Sequence, residues 1–225
     1  MAAVPIIAID GPSGSGKGTV SRLVAEALGW RFLDSGALYR LVALAGLRTG
    51  LAPGDEAGHE RRARDMAVEF GSGPAGEERV LLDGQDVTQD LRSEQAGTAA
   101  SRVAAMPEVR RALFARQRQF ARLPGLVADG RDMGTIVFPE AGLKIFLTAT
   151  PEERARRRHK QLKEKGLDVS LAALSREIAE RDARDASRAV APLRAAADAI
   201  HLDSTGLAVD EVVAQILRLA RERFR

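Results

Sequence analysis

Hydrophobic residues cluster in five short segments, and most of these segments are apolar at nearly every position. Unbroken apolar runs of this length are typical of strands that are covered on both faces. Helical patterns lie between or after the five segments. This alternation predicts an α/β fold, with a five-stranded parallel sheet covered by helices. The predicted strands are residues 6–10, 30–34, 125–129, 144–149 and 199–203.

Two helical segments fit this arrangement. Residues 18–29 follow the first predicted strand and end at Gly29, and glycine is the commonest residue just after a helix C-terminus. Residues 208–224 carry an apolar stripe at helical spacing, as expected for a helix that packs on a core. The stripe consists of Val209, Val212, Val213, Ile216, Leu217 and Ala220.

Two other segments interrupt the alternation of strand and helix. Residues 62–100 contain the piece GSGPAGEE, followed by RVLLDGQDV. Because Asp83-Gly84 separates apolar runs, we predict a tight hairpin and a small antiparallel insertion. Residues 151–188 are highly charged and predict two helices, separated at Gly166, with Ser170 as the N-cap of the second helix.

Composition narrows the possible functions. The chain has 225 residues and no cysteine, which excludes disulfides and thiolate chemistry. The histidines His59, His159 and His201 lack metal-ligand spacing, and we expect ordinary surface or strand residues. The N-terminal sequence has neither a basic segment nor a long apolar run, so we expect a cytoplasmic protein without a membrane span. Aromatic residues make up only 4% and the net charge is +3, which favours small phosphorylated ligands over nucleic acid.

A phosphate-binding motif follows the first predicted strand and opens the first predicted helix. Its glycines let backbone N–H groups turn towards phosphate oxygens, and the helix N-terminus adds partial positive charge. The lysine supplies a full charge to the β- and γ-phosphates of a nucleotide. The motif consists of Gly11, Pro12, Ser13, Gly14, Ser15, Gly16, Lys17, Gly18 and Thr19.

The motif departs from its usual form directly after the lysine. A Ser or Thr that binds Mg²⁺ is expected there, but Gly18 intervenes and Thr19 comes next. The form GKGT resembles nucleoside monophosphate kinases and differs from GTPases. We therefore expect nucleotide oxygens and water to hold most of the Mg²⁺ coordination. Whether Thr19 contributes is open.

Two polar blocks follow the second and third predicted strands. In an open parallel sheet, ligands bind beyond the carboxyl ends of the strands, so both blocks are expected on the same edge as the phosphate loop. Either block alone is commonly just a turn. LDSGALYR contains Asp34, Ser35, Tyr39 and Arg40, and DGRDMGT contains Asp129, Arg131, Asp132 and Thr135.

With these residues in view, the chain resembles the bacterial cytidylate kinases from about residue 6 to its C-terminus. The matching blocks include DGPSGSGKGT, LDSGALYR, VLLDGQDVT, ASRVAAMPEVRRAL, LVADGRDMGTIVFPEA, EIAERDARDASRAVAPL and LDST. The resemblance implies a P-loop kinase core at residues 1–61 and 101–225, a lid at about 154–167 and a nucleoside monophosphate-binding insertion at 62–100. It further implies a monomer that transfers phosphate from ATP, with Mg²⁺, to CMP and dCMP.

The same resemblance implies roles for individual residues. Ser35, Arg110 and Asp132 match residues that read the cytosine edge, and Ser101, Arg181 and Asp185 match residues around the ribose. Arg40, Arg131 and Arg188 match residues that hold the CMP phosphate. Lys17, Arg131, Arg188 and a lid arginine are expected to stabilise the transferring group. We assign the lid role to Arg158, with Arg156 and Arg157 as alternatives.

The chemistry of cytosine agrees with these roles. Cytosine presents an N4 amino donor where uracil presents an acceptor, so a carboxylate such as Asp132 can distinguish the two. Arg181, Asp185 and Arg188 are spaced by four and three residues, which predicts one shared helix face. An exposed row of ion pairs is the alternative interpretation of that spacing.

Two other functions remain possible from the sequence. One is a P-loop kinase for AMP or for a metabolite hydroxyl, which Asp34 would orient. The other is a nucleotide-dependent switch or nucleic-acid motor, which would need γ-phosphate-sensing loops for which the sequence offers no obvious candidate. The basic run ERARRRHKQLKEK could contact nucleic acid. Its glutamates and its position between the fourth strand and the next helix favour a mobile cover instead.

Overall fold

A computed structural model of the protein describes residues 4–72, 78–164, 166 and 168–224. The chain forms two compact units. We call Met1–Asp34 with Gln117–Arg225 the core unit, and Ser35–Arg116 the helical unit. The division of the chain into a core (1–61 and 101–225), an insertion (62–100) and a lid (154–167) stays a functional prediction. Part of GSGPAGEE, residues 73–77, and lid residues 165 and 167 lie outside the described residues.

The described residues contain eight strands, which belong to two sheets. They are β1 (Ile6–Asp10), β2 (Arg31–Asp34), β3 (Val68–Ser72), β4 (Glu78–Leu82), β5 (Gln85–Asp86), β6 (Leu126–Gly130), β7 (Leu143–Thr148) and β8 (Ile200–Asp203).

Eight α-helices also lie within the described part of the chain. They are α1 (Lys17–Leu28), α2 (Ser35–Arg48), α3 (Glu56–Asp65), α4 (Glu94–Val103), α5 (Pro107–Arg118), α6 (Pro151–Glu164), α7 (Leu171–Ala186) and α8 (Val209–Arg223). A 3₁₀ turn covers Asp90–Arg92, and a one-turn π-helix covers Met133–Val137.

The core unit contains the five-stranded sheet, in the order β2-β6-β1-β7-β8 with all neighbours parallel. The prediction of a parallel five-stranded α/β sheet is therefore confirmed. Strand β1 is central, and every one of its residues is buried. Its register pairs Asp10 with Gly130, and the register of β2 pairs Asp34 with Asp129. The carboxyl ends of three neighbouring strands thus carry the polar blocks.

Helices α1 and α8 pack on one hydrophobic cluster with the sheet. Val24 of α1 and Ile216 of α8 are fully buried in it. Burying a side chain of this size contributes about 1.5–3 kcal/mol, so the apolar stripe of α8 accounts for its docking. Val209, at the start of α8, is exposed and does not belong to the buried stripe.

The charged segment forms two helices, α6 and α7, which pack against each other in the core unit. Ser170 caps α7 as predicted, because its Oγ accepts the N–H of Ala173 at 3.4 Å. The expectation that Arg188 shares a helix face with Arg181 and Asp185 was wrong. Helix α7 ends at Ala186, before the turn that leads to Pro192, and Arg188 lies beyond its end.

The helical unit is built around α2, which packs against α3 and α4. Its small sheet is antiparallel with the order β3-β4-β5, as the hairpin signal predicts. Asp83 and Gly84 form the two-residue turn between β4 and β5 with φ values of 51° and 79°. Positive φ at both positions is the requirement of a type I′ turn, which explains the Asp-Gly pair.

The histidines lie on three separate elements. His201 lies in β8 and His159 in α6, whereas His59 is a buried residue of α3. The expectation of surface or strand positions was wrong for His59. Its Nδ1 lies 2.7 Å from the carbonyl oxygen of Asp55, and its ring packs closely against Gly46 of α2. Within the described ranges, no helix is long and apolar enough to cross a membrane.

Candidate active site

The phosphate loop lies between β1 and α1, as the motif predicts. Gly16 occupies the N-cap position of α1 with φ at 88°, a conformation that side chains other than glycine rarely adopt. As a glycine, Gly16 has no side chain that could cap this helix. The N-terminal N–H groups of α1 are therefore directed at the position where phosphate oxygens bind in loops of this type.

Lys17 is buried at the first position of α1. Its Nζ donates to the carbonyl oxygen of Pro12 at 3.0 Å, and Ser15 Oγ donates to the same oxygen at 3.1 Å. Burial and the positive charge of Arg131 together lower the pKa of Lys17 to about 7, while the negative charge of Asp129 opposes the shift. An anionic ligand at the loop would restore the full positive charge of the lysine.

This shift predicts proton uptake when ATP binds. At pH 8, Lys17 is mostly neutral in the free protein, and the triphosphate favours its protonated form. Binding should therefore take up nearly one proton, and the affinity should fall by up to about tenfold per pH unit above pH 7. Calorimetry in two buffers of different ionisation enthalpy measures the uptake. Equal heats in both buffers would contradict this prediction, and Lys17→Met should abolish the uptake.

A single buried carboxylate holds two of the predicted phosphate-binding arginines. Asp185 Oδ2 accepts a hydrogen bond from Arg131 Nε at 3.0 Å, and Asp185 Oδ1 forms an ion pair with Arg188. The side chain of Asp185 is only 1% exposed. Sequence reasoning assigned Asp185 to the ribose and did not predict that it orients these arginines. The contact with Arg131 spans 54 positions in the chain, and no local pattern signals it.

Asp132 is buried directly before the π-helix. The first N–H groups of that helix, from Met133 and Gly134, donate to the carboxylate of Asp10 at 2.9 and 2.8 Å. Burial raises the pKa of Asp10 to about 7, although these two hydrogen bonds act in the opposite direction. Sequence reasoning treated Asp10 only as the end of a strand. Its position at the end of β1, next to the phosphate loop, was the available signal.

Two arginines of α6 contact the phosphate loop. Arg154 is buried and donates to the carbonyl oxygen of Ser13 at 3.0 Å, while it pairs with Asp182 of α7 at 2.6 Å. Arg157 donates to the carbonyl oxygen of Ser15 at 3.3 Å and to Ser204 Oγ at 3.1 Å. Arg154 was not predicted as a site residue. Its place in the first turn after β7 puts it at the loop.

The other two arginines of this run have local partners. Arg156 forms an ion pair with Glu153, and Arg158 donates to Gln161 Oε1 at 2.5 Å. The assignment of the transferring role to Arg158 stays a prediction. Arg181, which is half-buried on α7, likewise keeps its predicted ribose role as a hypothesis.

The remaining predicted substrate residues belong to the helical unit. Ser35 is buried at the first position of α2, and Ser101 is buried on α4. Arg110 is buried on α5, where its guanidinium lies 5.7 Å from the ring centre of Tyr39 and donates to the carbonyl oxygen of Ala104 at 3.2 Å. Arg40 is half-buried on α2. Buried arginine and serine side chains are suited to recognition of a polar base edge.

The donor groups near the loop would suit a magnesium ion that has few direct protein ligands. The described residues contain no cluster of three or more His, Asp or Glu side chains suited to a metal. Asp129 lies at the loop, because a Cβ added at Gly18 would come 3.2 Å from its Oδ2. Mg²⁺ usually retains several waters and takes one or two carboxylates together with phosphate oxygens. Thr19 is exposed on α1.

A phosphate loop between the central strand of a parallel sheet and the following helix, with a buried lysine at the helix start, defines a P-loop nucleotide-binding protein. The family model described as cytidylate kinase matches residues 7–222. The chain therefore belongs to the cytidylate kinase family, which confirms the resemblance in sequence.

Two relatives that are similar in sequence agree with this assignment. The chain is 57% identical over 215 residues to a cytidylate kinase of Nitrosococcus oceani, with 95% of each chain covered. It is 58% identical over 221 residues to a cytidylate kinase of Stutzerimonas stutzeri, with 98% of this chain and 96% of the relative covered. Among solved structures, a gluconokinase from Sinorhizobium meliloti 1021 is similar at 17% identity and a TM-score of 0.48, covering 100% of this chain and 98% of that one.

Proposed function

We propose that the protein transfers the γ-phosphoryl group of ATP to CMP, and also to dCMP, giving ADP and the cytidine diphosphate. The observation that carries the proposal is the phosphate loop with its buried Lys17, in a chain that belongs to the cytidylate kinase family. Curated relatives above 55% identity carry the name cytidylate kinase. Phosphoryl transfer needs mainly positioning and neutralisation of charge, and the chain supplies both.

On the donor side, the loop and Lys17 bind the phosphates of ATP. The carboxylate of Asp129, which lies near Gly18 of the loop, would hold Mg²⁺ together with nucleotide oxygens and water, and the ion would supply neutralisation of phosphate charge. Arg154 and Arg157 hold the carbonyl oxygens of Ser13 and Ser15, which keeps the loop in shape. Arg157, in the run of three arginines, donates a hydrogen bond to the loop carbonyl of Ser15, which supports a donor-side role for it.

On the acceptor side, Arg131 and Arg188 grip the phosphate of CMP together with Arg40. The paired contacts of Arg131 and Arg188 with Asp185 support this role, because one buried carboxylate orients both guanidinium groups. The acceptor phosphate is already dianionic near neutral pH, so transfer needs no general base. Asp132, Arg110 and Ser35 read the base.

An acceptor panel tests the proposal. ADP release is measured in a coupled assay with ATP and each of CMP, dCMP, UMP, AMP and GMP. CMP and dCMP should give the highest kcat/KM, with UMP well below them. A preference for AMP would indicate a different nucleotide kinase. Activity only with a hydroxyl acceptor, or ATP hydrolysis stimulated by nucleic acid, would refute the proposal.

Replacement of Asp132 by asparagine should weaken base selectivity. An amide can donate to the O4 of uracil, so the penalty against UMP falls. We expect the preference for CMP over UMP to drop by roughly 1–3 kcal/mol, which is about 5- to 150-fold in the ratio of kcat/KM values. Asp55→Asn, which changes a helix-capping carboxylate in the helical unit, is the control. An unchanged ratio in Asp132→Asn would remove this residue from base recognition.

A further inference from the structure

Both oxygens of the Asp10 carboxylate accept hydrogen bonds from one short segment of chain. Oδ1 accepts the N–H of Met133 at 2.9 Å, and Oδ2 accepts the N–H of Gly134 at 2.8 Å. Asp10 is only 4% exposed. The donors lie 123 and 124 positions away in the chain, so this contact fixes the segment after β6 to the end of β1.

These donors open the π-helix, and its N-cap residue does not bond to them. An Asp at an N-cap usually accepts the N–H groups that follow it. Asp132 occupies the N-cap position, with φ at −146°, but its side chain makes no capping hydrogen bond. Asp10 performs that task from another strand. The carboxylate of Asp132 is therefore not used in capping its own helix.

The space around this contact is narrow. A Cβ added at Gly134 would come 3.4 Å from Asp10 Oδ2 and 3.2 Å from Lys144 Cδ. Contacts of 3.0–3.4 Å are tighter than ordinary van der Waals contact, so one neighbour would have to move. Lys144 is itself buried and paired with Asp198 at 2.9 Å, which limits its movement. Glycine at 134 thus lets the N–H groups approach Asp10.

We propose that Asp10 is a positioning residue for recognition of the base. It caps the turn after Asp132 and so directs the carboxylate of Asp132 towards the exocyclic amino group of a cytosine. This proposal rests on the proposed function, in which Asp132 reads that amino group. Asp10 itself touches neither nucleotide.

The test compares CMP with UMP in kcat/KM for Asp10→Asn. One side-chain oxygen remains to accept an N–H group, while the new amide faces the second N–H as a donor. The turn then loses a hydrogen bond, and Asp132 loses its fixed position. We expect the CMP/UMP ratio to fall by about tenfold, with a higher KM for CMP and a KM for ATP that stays within about twofold. A merely structural role would lower both activities together and leave the ratio unchanged.

Two further variants keep the test decisive. Gly134→Ala places a Cβ 3.4 Å from Asp10 Oδ2 and should lower the CMP/UMP ratio in the same way. It decides the matter if Asp10→Asn does not fold. Asp55→Asn, a capping carboxylate of α3, is the matched control and should leave the ratio unchanged. Because Asp10 acts through Asp132, the double variant Asp10→Asn with Asp132→Asn should fall no further than Asp132→Asn alone.

The outcomes distinguish the role of Asp10 from the proposed role of Asp132 in base recognition. If Asp132→Asn lowers the ratio while the folded Asp10→Asn and Gly134→Ala variants both keep it, the role of Asp10 is overturned and the proposed function stands. If Asp132→Asn also keeps the ratio, base recognition by Asp132 fails, and the role of Asp10 fails with it. The proposal is supported if Asp132→Asn and either Asp10→Asn or Gly134→Ala lower the CMP/UMP ratio. The double variant should then fall no further than Asp132→Asn alone.

Discussion

Replacement of Arg131 by alanine should lower turnover by about a thousandfold or more while ATP binding persists. The low end of the effect of an arginine that stabilises charge in phosphoryl transfer is of this order. Arg131 lies directly after β6, and Asp185 holds its guanidinium. The phosphate loop and Lys17 remain in the variant. Loss of the positive charge of Arg131 also removes one cause of the low pKa of Lys17.

Single-turnover kinetics and ATP titration measure the two effects of Arg131→Ala separately. Arg22→Ala is the matched control, because it removes an exposed arginine of the core unit that pairs with Glu26 at 2.6 Å. That variant should keep full activity, since exposed ion pairs contribute little. Near-normal turnover in Arg131→Ala would refute its catalytic role. Loss of ATP affinity in parallel with turnover would instead place Arg131 on the donor side.

Replacement of Gly11 by alanine should unfold or severely destabilise the core unit. A Cβ at this position would lie 2.0 Å from the carbonyl oxygen of Leu147, which belongs to the backbone of β7. Backbone cannot turn aside as a flexible side chain can, so β1 and β7 would have to separate where Asp10 pairs with Phe146. We expect a loss of about 3 kcal/mol or more in the free energy of unfolding, a melting temperature lower by roughly 6–12 °C, and loss of ATP binding.

Thermal unfolding checks the Gly11→Ala prediction. Gly54→Ala is the control, because a Cβ added there meets no atom within 4 Å. The control should change the free energy of unfolding by less than about 0.5 kcal/mol. If Gly11→Ala has a melting temperature equal to that of the control, the close approach of the loop to β7 does not constrain the fold.

The parallel sheet was predictable because its strands are buried on both faces, and burial leaves a continuous apolar signal. The predicted ends of the strands differ from the observed ends by at most one residue. Trp30 lies outside β2 because its N–H donates to the carbonyl oxygen of Ala25 near the end of α1, at 2.9 Å. The hairpin turn was predictable because Asp83 and Gly84 satisfy a local backbone requirement. Each of these features depends on neighbouring residues in sequence.

The parts of the site that sequence reasoning missed depend on distant partners. Asp10 bonds to a segment more than 120 positions away, and Arg154 bonds to Ser13 from 141 positions away. Arg188 was placed on a helix by its spacing alone, although the chain leaves the helix at Ala186. Spacing describes which residues would share a face if the helix continued. It does not show where the helix ends.

The two ion pairs of Asp185 with guanidinium groups bear on how the acceptor phosphate would bind under the proposed function. Two long, like-charged side chains would otherwise repel each other and sample many rotamers before a dianion arrives. The buried carboxylate balances part of their charge and fixes their conformation. Under the proposed function, the acceptor phosphate would therefore meet a preorganised receptor, and its association would cost less conformational entropy than it would with mobile arginines.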